Sequence, residues 1–267
     1  MKSSKLTKTT TYHYFKFAWR TLLLLAMLVI YIVEKVRNPQ SDPLLDNSSD
    51  IYVHLSSNTY IAVIEIVVWV VFVVDMLARF FPTKIESMGC QKQFKRNYVP
   101  IEPVEKPEMQ SWKRTFAVFA VWIALNAVPV TLYLTHIIDG AILILLSLAY
   151  AVCDMICILF FCPFQTWFMK NRCCVACRIY NWDFPMMFTP VVFIVNAFWM
   201  SLFAIAAALL VEWEILYHKY PERFCRNTNE SLSCANCTEK LCKHKRQLQG
   251  FIKKLTDLEK LKLTRKK

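Results

Sequence analysis

An all-α, polytopic membrane bundle of about five spans, followed by a cysteine-rich basic tail, is the fold class this sequence predicts. Two observations carry that expectation. The chain has 267 residues, 56% of them hydrophobic, with a mean hydropathy of +0.32, too apolar for an ordinary soluble domain. The apolar residues also come in blocks of about the 20 residues that a helix needs to cross a bilayer. A third feature removes alternatives: Gly89, Gly140 and Gly250 are the chain's three glycines. No glycine-rich phosphate loop or dinucleotide fingerprint can be built from them, and spans cannot pack through small-xxx-small glycine motifs.

The first predicted span is 17–33, with Lys16 and Arg20 placed to snorkel towards headgroups. Its flank is basic, but the Tyr31 to Glu34 stretch is a poor cleavage site, so it reads as an uncleaved anchor. The second span, 60–80, carries Glu65 inside the apolar block and Asp75 four residues before Arg79, the spacing of an ordinary helical ion pair. A connector at 81–110 holds Pro82, Pro100, Pro103, Pro107 and a lone Cys90, and reads as extended rather than as a domain. The third span is 116–134 and the fourth 141–164. Asp154 lies close to the centre of the fourth. A mid-bilayer carboxylate costs about 2.5–3.5 kcal/mol on the insertion scale, so it needs a use or a partner. The use is ion or proton passage; the partner is a hydrogen bond from Asn126 or Asn196 to a protonated acid. The fifth span, 184–211, is the longest. The bundle thus occupies 1–211 and the tail 212–267.

Lys and Arg gather before span one, in the connector, and at Lys170, Arg172 and Arg178, whereas the first loop has Lys35 and Arg37 and the 135–140 connection has none. The positive-inside rule then puts the N-terminus and the loop after span four in the cytoplasm. Five crossings leave the tail outside. That conflicts with its composition of 14 Lys and Arg against 7 Asp and Glu, a net +7. Glycosylation triplets at Asn47, Asn229 and Asn236 fall on that nominal outer side. Either the tail is outside, or one span does not cross.

Cysteines are the chain's chemical signature. Cys153 and Cys157 sit one turn apart and pack as small hydrophobes. Cys174 and Cys177 form a C-x-x-C, with Cys173 adjacent and Cys162 at the end of span four. Four such sulfurs suit a tetrahedral ion, zinc before an iron–sulfur centre. Cys225, Cys234, Cys237 and Cys242 form a second group in the tail, a metal knuckle if cytoplasmic and two disulfides if outside.

The leading functional expectation is therefore a membrane protein whose cytoplasmic loop holds zinc in a structural or partner-coupling role. A redox module is the first alternative, with an iron–sulfur centre or a Cys174/Cys177 dithiol. A small transporter or channel using Asp154 and Glu65 is the second, and an acyl anchor on Cys173 or Cys174 the third. No catalytic constellation, neither H-E-x-x-H nor G-x-S-x-G, is present, so no catalytic residue is assigned. The expected partner is the lipid bilayer. The 251–267 segment sets Phe251, Leu255, Leu258 and Leu261 against a basic face, suited to anionic lipid or a partner helix. No nucleic acid is expected from the net +12, because that charge follows topology.

Overall fold

A computed structural model describes residues 7–37, 59–82, 90–103, 105–171, 173, 176–194 and 196–233. Among these the regular structure is helical, with one isolated bridge between Pro100 and Asn229 and no strand. Five long helices form the frame: α1 (Lys8–Arg37), α2 (Thr59–Phe80), α3 (Trp112–Leu134), α4 (Gly140–Leu159) and α5 (Ala197–Lys219). Four of them, α1, α3, α4 and α5, are long and apolar enough to cross a membrane. The 22-residue α2 is as long and strongly apolar, with Glu65, Asp75 and Arg79 set in its apolar run.

Helical periodicity explains how the frame packs. On α1, His13, Arg20, Met27 and Glu34 recur every seventh residue and are all buried, so one stripe of the helix faces its neighbours. On α2 the buried set is Glu65, Val68, Phe72, Met76 and Arg79. Both seams are partly ionic, and Arg20, read from sequence as a snorkelling residue, is 1% exposed inside the bundle. The central helix is α4, with Leu143, Ile144, Leu148 and Ala151 in the main core beside Phe72, Phe188, Trp199 and Leu202. In contrast, α3 stands at the edge and buries only Thr115, Val118, Asn126 and Val130.

Two sets of contacts fix the ends of the bundle. At one end Asp139, just before α4, accepts from Lys35 (2.7 Å) and Tyr31 (3.3 Å) of α1. At the other, Lys16 and Arg20 of α1 reach Asp75 near the C-terminus of α2. The connector, the loop after α4 and the start of the tail all lie at this second, loop end.

The apolar block 184–211, expected as one span, is not one helix. A six-residue helix at Asp183–Phe188 and a 3-10 turn at Pro190–Phe193 come first, and α5 starts only at Ala197. Pro190 has no N–H to continue the preceding helix. Asn196 then caps α5, its side chain accepting from the Phe198 N–H at 2.9 Å. The direction of the chain follows from its partners on α2. Asp183 pairs with Arg79, Phe188 packs edge-on against Phe72 at 5.2 Å, and Ser201 accepts from Trp69 at 2.7 Å. Arg79 to Trp69 is ten residues, about 15 Å along a helix. The chain thus enters from the loop end, turns near Asn196, and returns as α5 running parallel to α2. Glu214, near the end of α5, is back beside Arg178 and Trp182.

Five successive crossings would leave residues from 212 onward at the opposite end from the connector. Instead the tail lies on it. The Glu230 N–H donates to the Val99 carbonyl (2.8 Å), Ile101 to Thr228 (3.3 Å), and the Ser231 hydroxyl to Asn97 (2.6 Å). Asn229, read as a glycosylation triplet, is fully buried and donates to the carbonyls of Lys92 and Arg223. Asn47, Asn236 and the amphipathic 251–267 segment lie outside the described residues.

Candidate functional site

Three cations and three carboxylates meet between α1, α2, α4 and the chain entering the hairpin. Lys16 reaches Asp75 at 2.8 Å. Arg20 donates through Nη2 to Asp75 (3.3 Å) and through Nη1 to both Asp154 Oδ2 (3.0 Å) and the Ala151 carbonyl (3.0 Å). Arg79 grips Asp183 with both Nη atoms, at 2.6 and 2.5 Å, in the fork geometry that suits guanidinium and carboxylate. Aromatic faces complete the cation shells: Arg20 lies 5.3 Å from the centre of Phe72, and Arg79 4.6 Å from that of Phe184. Buried His13 lies three residues before Lys16, and neither of its ring nitrogens has a hydrogen-bond partner among the described residues.

These contacts replace two partnerships expected from sequence. Asp75 does not pair with Arg79 one turn on; it turns to α1, while Arg79 reaches Asp183, 104 positions away. Asp154 does not depend on Asn126 or Asn196. Asn126 donates to the Trp122 carbonyl (2.9 Å), Asn196 caps α5, and Arg20 supplies the counter-charge. Balanced ion pairs satisfy a buried carboxylate better than a single amide can, because they offset both its charge and its lost hydration.

The network borders a cavity of about 480 Å³, a volume typical of small-molecule sites. Trp122 and Leu125 of α3 form one wall, Tyr150, Cys153, Asp154 and Cys157 of α4 another, and Asp183 and Met187 the inner side. The cavity exists because α3 stands off from α4, propped by Trp122. Its indole packs on Tyr150 with ring centres 4.7 Å apart and donates to the Thr189 hydroxyl at 3.2 Å. Asp154 and Asp183 are the charged residues in this lining.

The predicted sulfur ligands are distributed differently. Cys153, Cys157, Cys162 and Cys177 line the cavity. Cys173 packs with Met155, Ile158, Leu159 and Leu232, whereas Cys177 belongs to a separate cluster with Val118, Met169 and Ile179. Side-chain amides set this loop: Gln110 and Asn171 both donate to the Ala176 carbonyl at 2.8 Å, and Gln110 also accepts from the Arg178 N–H. Among the described residues no group of three or more His, Cys, Asp or Glu is placed to hold a metal ion. Cys174, Cys234, Cys237 and Cys242 lie outside those residues.

Cys225 is buried, and its thiol donates to the Glu108 carbonyl at 3.4 Å. Burial first, then the nearby Glu108 and Glu222 carboxylates, push that thiol up to about 11. Glu65 is buried on α2, ten residues and about 15 Å along the helix from Asp75, so it is not part of the Asp154 site.

Sequence reasoning gave Lys16, Arg20 and Arg79 only surface or local roles and missed Tyr150 and Trp122. A signal for the first three was present. Charges of both signs lie at the same ends of separate apolar blocks, and each would be costly there alone. The aromatic pair had no such signal, because any of the chain's 8 Trp and 11 Tyr could have lined a cavity. No protein-family model, no curated protein and no solved structure matches this chain.

Proposed function

We propose that this chain is an integral membrane protein that binds a neutral, hydroxyl-bearing amphiphile between α3 and α4, with the polar head at Asp154. The observation that carries the reading is the cavity of about 480 Å³, largely apolar, with Asp154 and Asp183 as its charged border and Gln165, Tyr150 and Tyr180 as its other polar groups. Leu125, Ile156 and Phe161 line it and are also 54%, 38% and 37% exposed. Apolar side chains in that position make a mouth suited to hydrocarbon, so an acyl chain can enter sideways from the bilayer. Arg20 holds Asp154 by Oδ2, which leaves the second oxygen to accept from a ligand hydroxyl. With Arg20 and Arg79 already balancing the two carboxylates, a neutral head costs less than a cation.

In this reading α1 to α4 cross the membrane and 183–219 is a re-entrant hairpin. The loop end is cytoplasmic. Supporting this, Lys92, Lys95, Arg96 and Lys106 of the connector and Arg223 and Arg226 of the described tail lie there, against Lys35 and Arg37 at the other end. Backbone that leaves helical geometry at membrane depth is tolerated where protein covers it; at the hairpin turn Pro190, Val191 and Ile194 are buried, while the apolar side chains of Val192 and Phe193 are exposed.

The test is equilibrium binding of a fluorescent-chain monoacylglycerol to the detergent-purified protein. A hydrogen bond to a charged group contributes about 1.5–3 kcal/mol, so Asp154→Asn should weaken binding roughly 10- to 150-fold. No saturable binding, or equal affinity in the variant, would sink the proposal.

A second reading keeps zinc in the loop after α4. It rests on the amide bonds from Gln110 and Asn171 to the Ala176 carbonyl, which hold the backbone next to Cys177. It requires about one zinc per purified chain, released by Cys177→Ala; protein purified without metal would remove it.

A further inference from the structure

The polar groups that line the Asp154 cavity are not equally engaged. Asp183 gives both carboxylate oxygens to Arg79, and Asp154 gives Oδ2 to Arg20. Gln165 donates through Nε2 to the Asn171 carbonyl at 3.1 Å, and the Cys162 sulfur accepts from the Gln165 N–H at 3.4 Å. The Tyr150 hydroxyl differs. It makes no hydrogen bond to a described residue, and protein does not seal it in, since Tyr150 is partly exposed where it lines the cavity. Asp154 is also within a ligand's reach, its side chain 14% exposed.

Tyr150 and Asp154 share one face of α4, four residues and about 6 Å apart along its axis. Because α4 runs towards the loop end, Tyr150 is the deeper of the two. Hydrocarbon offers a phenol no water, and an unpaired hydroxyl there is costly. Trp122 holds the Tyr150 ring in place from α3, with ring centres 4.7 Å apart, and its own indole N–H is already given to Thr189. A ligand whose hydroxyl donates to Asp154 must therefore present an acceptor one turn deeper. In an acyl lipid the first polar atom on the chain side of a hydroxyl-bearing head is the acyl carbonyl oxygen, which only accepts. An alkyl ether puts a weaker acceptor there, and a fatty alcohol puts none.

We propose that the Tyr150 hydroxyl donates to the acyl carbonyl of the bound lipid, so that the cavity selects hydroxyl-bearing acyl lipids over their ether analogues. Tyr150 sets specificity, and Asp154 holds the head. The inference rests on the reading of this cavity as an amphiphile site and names the lipid class it takes. The same pair of groups, a hydroxyl and a carbonyl, is carried by the ester of a monoacylglycerol and by the amide of an N-acylethanolamine.

Equilibrium binding to the full chain in detergent is compared for three lipids with one fluorescent chain: a monoacylglycerol, an N-acylethanolamine and an alkylglycerol ether, which keeps the hydroxyls and lacks the carbonyl. At least one carbonyl lipid should bind about 2- to 12-fold more tightly than the ether, the effect of one neutral hydrogen bond. The tighter of the two assigns an ester or an amide. Tyr150→Phe, which keeps the ring against Trp122, should erase that difference and leave the ether's affinity unchanged. Equal affinity of carbonyl lipids and ether for the native chain would overturn the proposal and leave the amphiphile reading intact. A carbonyl preference that survives Tyr150→Phe would overturn it as well, as would equal weakening of all three lipids, the mark of lost packing. Saturable binding of none of the three would remove the amphiphile reading itself, and this proposal with it.

Discussion

Arg20 is the residue on which the bundle's electrostatics turn. It is 1% exposed and joins Asp75 of α2 to Asp154 of α4 through one guanidinium. Removing one partner of a buried pair costs about 3–5 kcal/mol, because it strands the other charge. Arg20→Met should therefore destabilise the detergent-solubilised protein by about that amount, and the double variant Arg20→Met/Asp154→Asn should recover part of the loss. Denaturant titration of the two single variants and the double closes the cycle; strictly additive effects would show that Arg20 and Asp154 do not interact. Cys225 makes a different prediction. Its thiol is raised from an ordinary 9.0 to about 11, so the folded state favours the protonated form. That contribution is fully present below about pH 9 and is lost as pH rises towards 11. At pH 8 the native thiol should alkylate roughly 100-fold more slowly than an unfolded one, since the thiolate is the nucleophile. Mass-spectrometric mapping of iodoacetamide adducts reads this directly, and labelling at an unfolded-thiol rate would contradict the buried, Glu108-bonded placement.

At the scale of the element, the sequence was legible wherever hydrophobic blocks and helical period agreed. The blocks at 60–80 and 116–134 appear as α2 and α3 with ends only a few residues longer. The block at 17–33 grows to Lys8–Arg37 because Lys16 and Arg20 are satisfied by Asp75 and Asp154 and need no headgroup. The block at 184–211 misleads, since hydropathy measures the environment a segment enters and not its backbone path. Pro185, Pro190 and Asn196 are the marks of a broken and capped segment, and they were readable in principle. The carboxylates of the candidate site were equally visible. Their partners were not, because a spacing of four residues suggests Asp75 with Arg79, and only tertiary packing decides that each turns to another helix. The cysteines show the limit from the other side. Their spacing matches metal motifs, yet Cys173 and Cys177 belong to separate apolar clusters, a distinction no spacing encodes.

At the scale of the molecule, the proposed re-entrant hairpin would remove a contradiction within the sequence. A net +7 tail after five crossings would place most of that charge on the side where Lys and Arg are scarce. A segment that enters and returns brings residues 227–231 onto the connector, and the proposed topology would then put the basic tail on the Lys- and Arg-rich side. The consequence is testable without assigning either side of a membrane. Pro100 and Asn229 form an antiparallel bridge, so Val99 and Glu230 lie directly opposite. Directly opposed residues place their Cβ atoms about 4.5–5.5 Å apart, close enough for a disulfide after slight adjustment. In a background lacking the native tail cysteines, Val99→Cys with Glu230→Cys should cross-link on mild oxidation in intact membranes, closing a loop that spans α3, α4 and α5. Reducing and non-reducing gels after cleavage at a protease site inserted between Thr135 and Gly140 report the bond: the halves stay joined only when oxidised. Two halves that separate under oxidising conditions would place connector and tail apart, and with them would go the single loop end that the proposed topology requires.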